Sequence, residues 1–153
     1  DRERVLGPDH THTMITRSNL GTAYEAAGRI DDAIPLHERT LADRERVLGP
    51  DHTHTMITRS NLGTAYEAAG RIDEAIPLHE RTLADRERVL GPDHPYTVHS
   101  RNNLARAYRS GGRIDDAIPL YERTLTDCER FFGPDHTRTL TTRNNLSRLR
   151  MRS

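Results

Sequence analysis

Two short runs carry the side chains best suited to hold a metal ion. Asp9-His10-Thr11-His12 and Asp51-His52-Thr53-His54 each offer one carboxylate and two imidazoles. A zinc site needs three or four converging ligands. Further along the chain the pattern fails: Tyr96 stands in place of the second histidine at one corresponding position and Arg138 at the other. Turn residues copied with the surrounding chain explain the runs better, and no metal or other cofactor is expected. Nucleophilic chemistry is no better supported. Cys128 is the only cysteine, so an internal disulfide is excluded. No spacing fixes a histidine beside it as a base. His37 and His79 share a stripe position with Tyr121, which suits a ring that fills a core. Gly111-Gly112 is not followed by the Lys-Ser/Thr of a phosphate loop. No catalytic residue is predicted, and the chain reads as a non-enzyme.

The elements that would position such residues are repeated. Residues 1–42 return as 43–84 with one change, Asp32 becoming Glu74. The pattern returns at 85–126 with thirteen differences, and a truncated copy fills 127–153. A fixed period of this size describes an array of like units, each burying its apolar face on the next. Residues 1–153 are therefore expected to form one array with those four repeats. Asp1 falls partway through a repeat, which suggests a piece of a longer array.

Leu, Ile, Val and Phe together number only 29 of 153 residues, a low share for a globular chain. Zero net charge and apolar residues at helical spacing in every copy argue against disorder. All 23 basic residues are arginine, which looks like the codon usage of a GC-rich bacterial genome. No leader and no long apolar run are visible, so a cytoplasmic protein without a membrane partner is the default. Charge runs from −2 in each of the first two copies to +1 and +3 in the last two. A chain-wide basic patch for nucleic acid is absent.

Each repeat reads as two helices. The first is predicted from about Thr11 to Ala27, after a Gly7-Pro8-Asp9 turn, and Gly28 ends it. The second is predicted from about Asp31, as N-cap, to Leu48, with Pro35 in the first turn and Gly49-Pro50 as the stop. Thr13, Arg17, Leu20, Gly21 and Tyr24 share one face of the first helix. Ile30, Ile34, His37, Leu41 and Leu48 share one face of the second. A connection of about three residues sets the pair antiparallel.

Asn19-Leu20-Gly21-Thr22-Ala23-Tyr24 followed by Gly28-Arg29-Ile30-Asp31-Asp32-Ala33 resembles the tetratricopeptide repeat. The 42-residue unit and its Leu-Gly-Pro-Asp-His link look like kinesin-light-chain-type and related bacterial arrays. The resemblance implies an all-α solenoid, a right-handed superhelix of antiparallel helix pairs with about seven helices. Two positions depart from the family pattern. Arginine stands where a large aromatic is usual (Arg17, Arg59, Arg101, Arg143), and a structural role is expected, paired with Glu38 or a neighbouring repeat's aspartate. Thr40 stands where alanine is usual.

The resemblance also implies a concave groove lined by the first helices, and a protein or peptide partner in it. The positions carried over include an asparagine ladder, Asn19, Asn61, Asn103 and Asn145, with Asn102 and Asn144 beside it. An amide can bond the backbone of an extended peptide, or it can hold neighbouring helices together; both readings stay open. Thr22 and Glu25 become Arg106 and Arg109 in the third copy, and Arg148 follows in the fourth. That change makes one end of the groove cationic, suited to carboxylates, although drift on a solvated face would look the same. The lysine-bearing clamp of chaperone-binding relatives is absent, because the chain has no lysine. Two further readings remain. Near-identical copies with an acidic front and basic tail could stack head to tail into homo-oligomers, with Leu6, Met14 and Leu20 near the open face and Leu140, Leu146 and Leu149 able to cap the other end. The array could also be a sensor region of a larger bacterial signalling ATPase or regulator.

Overall fold

The computed structural model describes residues 11–152, with side chains from Met14 to Met151. Leu6, Thr13, the Gly7-Pro8-Asp9 turn and the run at 9–12 lie outside the described side chains. Seven helices occupy the described residues: α1 (Thr11–Ala26), α2 (Ile30–Leu48), α3 (Thr53–Ala68), α4 (Ile72–Leu90), α5 (Pro95–Ser110), α6 (Ile114–Phe132) and α7 (Thr137–Arg152). No strand occurs among them, and sequential helices pack as the pairs of an α-solenoid. The chain divides into two compact units, Asp1–Leu78 and His79–Ser153, with the boundary inside α4. In the first unit α1 packs on α2 and α2 on α3; in the second, α5 packs on α6 and α6 on α7.

The first unit's core shows how so few apolar residues suffice. Ile34 and Leu41 from α2 meet Leu62, Ala65 and Tyr66 from α3 and Ala75 from α4. Small residues let the backbones approach, so the few large side chains are fully used. Threonines fill buried space while bonding their own helix. Thr40, at the position where alanine was expected, donates to the Leu36 carbonyl at 2.9 Å.

The connection inside each pair is one repeated device. Gly28, Gly70 and Gly112 hold φ of 77–78°, where a side chain would be strained. The amides of Arg29, Arg71 and Arg113 then reach back to the carbonyls of Tyr24, Tyr66 and Tyr108 at 2.7–2.8 Å, a Schellman-type closure. Each of these arginines lies 4.5–4.7 Å from the centroid of that same tyrosine ring.

Three local expectations need correction. Asp31 is not the N-cap: α2 begins at Ile30, Arg29 occupies the cap position without a side-chain cap bond, and Asp31 sits in the first turn. Arg29 instead donates from Nε to Asp32 at 2.7 Å, so the carboxylates serve the positive helix end and the turn arginine. Because the helix starts early, Pro35 is its sixth residue and lies past the first turn. Leu20 is 46 % exposed, whereas its equivalents Leu62, Leu104 and Leu146 are buried. Leu62 packs inward on Ile34 and Leu41 of the preceding second helix.

Candidate functional site

The helix starts put the histidines of the Asp-His runs to structural use. His52, His94 and His136 each accept, at Nδ1, the amide of the residue two positions on, at 3.0–3.1 Å. His52 and His94 are the N-cap residues of α3 and α5, and Pro95 follows as the first helical residue. An imidazole whose Nδ1 caps a helix has that lone pair engaged. His54 and Tyr96 are ring neighbours of the caps, at 5.2 and 5.0 Å between centroids. Helix caps are usually short side chains, and residue type alone does not point to a ring nitrogen in that role.

The arginines on the packing stripe are ion-paired to carboxylates of flanking second helices, Arg101 on both sides. Arg17 bonds Asp43 at 2.5 Å and Arg101 bonds Asp127 at 2.5 Å. The aspartate is twenty-six positions on, at the start of the next copy, so the neighbouring-repeat reading holds. Arg101 also meets Glu87 at 3.9 Å and the Pro92 carbonyl at 3.2 Å. Arg59 meets Glu45 at 3.7 Å and the Pro50 carbonyl at 3.3 Å, and Arg143 meets Glu129 at 3.2 Å. Glu38 is not the partner. It accepts the Tyr66 hydroxyl at 2.5 Å, and Glu80 accepts that of Tyr108 at 2.5 Å. Burial first, and then these carboxylates, push both phenols up to about 12.

The positions carried over as groove residues differ in access. Asn19, Asn61 and Asn144 are exposed, Asn102 and Asn145 half-buried, and Asn103 buried. Arg106 and Arg109 are half-buried and Arg148 is exposed. The change that produces Arg109 is one of three that touch each other. In the first copy Glu25 bonds His37 at 2.7 Å, and the His37 ring lies 2.9 Å from where a Cβ on Gly21 would stand. The third copy replaces all three at once, with Arg109 lying 6.0 Å over the Tyr121 ring and Ala105 in the glycine's place. A half-buried carboxylate on a buried imidazole is thus exchanged for a cation over a phenol.

Cys128 does more than the spacing suggested. It lines a cavity in the second unit with Val98, His99, Thr124, Phe131 and Phe132 among its walls. The available signal was a pair of large-to-small changes, Met14 to Val98 in the third copy and Arg44 to Cys128 at the start of the fourth. Separation in sequence hid that they meet.

Helix pairs closed by a left-handed glycine, stacked on small residues, with a polar first-helix face, define the class: a helical repeat solenoid built to present surface. The tetratricopeptide repeat family model matches residues 2–46, 16–87 and 60–130, and the chain belongs to that family. A putative kinesin light chain with nearly identical TPR-like repeats from Podosopora anserina is similar at 26 % identity and TM-score 0.82, over 90 % of this chain and 65 % of that one. BtubC (BKLC) from P. vanneervenii shares the fold at 20 % identity and TM-score 0.81, over 90 % of this chain and 55 % of that one. The TPR domain of Arabidopsis FLU does so at 18 % and 0.68, over 78 % and 98 %. This chain therefore spans less than two thirds of the first two solved relatives. No curated protein matches it. The fold is in general a protein–protein interaction module. No helix among the described residues is long and apolar enough to cross a membrane.

Proposed function

We propose that this chain is a non-enzymatic scaffold of the cytoplasm that binds an extended segment of a protein partner along its first-helix faces. The observation that carries this reading is the row Asn102, Arg106 and Arg109 on α5, half-buried at spacings of four and three and so on one side of the helix. Asn145 and Arg148 continue the same character on α7. Amides of this kind can bond a peptide backbone, and guanidinium groups take carboxylates in a forked geometry. Asn103, being buried, serves the stack in this reading, while Asn19, Asn61, Asn102, Asn144 and Asn145 face the partner. The test is capture of partners by wild-type protein and by the double variant Arg106→Glu with Arg109→Glu, both checked for helicity. Acidic partners should be lost from the variant; identical capture by both would remove the cationic groove.

A second reading, head-to-tail self-association, is favoured by Leu20, which is 46 % exposed on α1 where its equivalents Leu62, Leu104 and Leu146 are buried. An apolar face that accepts a repeat in each later copy can accept one from another molecule. Sedimentation across a concentration series decides it: a strictly monomeric species at high concentration ends this reading, and Leu20→Glu should abolish any association seen.

A further inference from the structure

The second unit carries an open cavity of about 630 Å³ between α5, α6 and α7. The equivalent place in the first unit, lined by Met14, Ile15, Arg44, Leu48, His52 and His54, holds only about 250 Å³. The two places are an internal comparison on one scaffold. In the first, the Arg44 guanidinium crosses the gap and donates to Thr58 Oγ1 at 2.5 Å. In the second, Cys128 takes its position and ends with Sγ at 4.0 Å from Thr142 Oγ1. Val98 in place of Met14 shortens the facing wall as well. The walls are mostly apolar, and Phe131 and Phe132 stay 48 % and 44 % exposed beside the opening so made.

A separate feature points to an occupant. Thr124 lines the cavity and is 3 % exposed, yet its hydroxyl has no hydrogen-bond partner. Its first-copy equivalent Thr40 bonds its own helix. A buried hydroxyl left unpaired is costly unless something in the cavity satisfies it. The charges define the rest. Asp93 and Asp127 also line the cavity, but Asp93 is paired with Arg130 at 2.9 Å and Asp127 with Arg101 at 2.5 Å. The Arg138 guanidinium, over the Phe132 ring at 5.6 Å, brings positive charge to the wall. His99 adds none at neutral pH, since burial, Arg86, Arg106 and Arg138 hold its pKa below the ordinary histidine value.

We propose that this cavity binds a small aromatic carboxylate, its ring between Val98, Cys128 and the two phenylalanines, its carboxylate at Arg138, and a hydrogen-bonding substituent at the far end meeting Thr124. The volume falls in the range of small-molecule sites, about 300–1,000 Å³. Thr124 and Phe131 are seven residues apart on α6, so the ligand spans roughly 10 Å. The cavity shares Asn102 and Asn145 with the proposed partner face, but it lies within the second unit and needs no peptide, so its failure would leave the scaffold reading intact.

The probe is 6-hydroxy-2-naphthoate, titrated calorimetrically into the full chain beside 2-naphthoate and 2-naphthylmethylamine. Saturable one-site binding is expected, strongest for the hydroxylated acid and at least tenfold weaker for the amine. Cys128→Arg, which restores the residue of the first three copies, should weaken binding at least tenfold while circular dichroism stays helical. Thr124→Val should erase the advantage of the hydroxylated acid over 2-naphthoate, and Arg138→Gln should narrow the gap between acid and amine. Absence of saturable binding, equal binding of acid and amine, or unchanged affinity in Cys128→Arg would overturn the proposal. Should Cys128→Arg lose its helical signal, Cys128→Met fills the same space without charge. In wild-type protein the acid must also slow methanethiosulfonate labelling of Cys128; an unaltered rate counts against the site.

Discussion

At the scale of single residues, the buried ions dominate. Arg101 and Asp127 are each 2 % exposed and face one another directly. Removing one partner of such a pair leaves the other buried, which typically costs about 3–5 kcal/mol. Arg101→Met is therefore expected to lower unfolding stability by about 3 kcal/mol in urea, the low end because Arg123 also reaches Asp127 at 3.5 Å. Arg17→Met is expected to cost less, since Arg17 and Asp43 keep 10 % and 16 % exposure. Equal losses at the two sites would show that burial does not set the cost. The phenols give a pH test. Tyr66 and Tyr108 are raised in the folded state from 10.0 to about 12, so the folded chain holds their protons longer than the unfolded chain. Their contribution is fully present below pH 10 and is lost as pH rises through about 12. Melting temperature should fall over that window, and Tyr66→Phe with Tyr108→Phe should flatten the fall.

At the scale of helices, caps and helix crossings decide fit. His94→Ala removes the acceptor for the Tyr96 amide at the start of α5 and is expected to cost about 1 kcal/mol, read from chemical denaturation. Gly21→Ala forces a Cβ to 2.9 Å from the His37 ring and is expected to cost about 1–3 kcal/mol. The third copy shows how the same crossing accepts alanine: Tyr121 and Arg109 come with it. The triple change Gly21→Ala, Glu25→Arg and His37→Tyr should therefore recover most of the loss. A triple variant no more stable than Gly21→Ala would mean the three positions are independent.

At the scale of the whole chain, charge and repetition act together. The copies run from −2 to +3, and any head-to-tail association drawn by that gradient should weaken between about 20 and 500 mM salt, as screening shortens to within a few ångströms. Association driven by Leu20 alone would hold or strengthen in the same sedimentation series.

Much of the architecture is legible in the sequence. The 42-residue period, the glycines at 28, 70 and 112 and the three-and-four spacing of Ile30, Ile34, His37 and Leu41 determine paired helices and where each pair turns, because these are local demands on backbone geometry. Helix α2 still begins one residue before its predicted cap, since an arginine over the Tyr24 ring anchors the turn in place of a capping carboxylate. Partner choices were not legible. Whether Arg17 meets Glu38 or Asp43, and which asparagines are buried, depends on side chains from different helices converging in three dimensions. The cavity is the clearest case. Cys128 and Val98 are ordinary substitutions thirty positions apart, and only tertiary packing brings them to one wall, with the unpaired Thr124 hydroxyl between the same helices. Sequence periodicity sets local conformation because its forces act between near neighbours. Empty space and unmatched polar groups are properties of several elements at once, so the tertiary structure alone decided them.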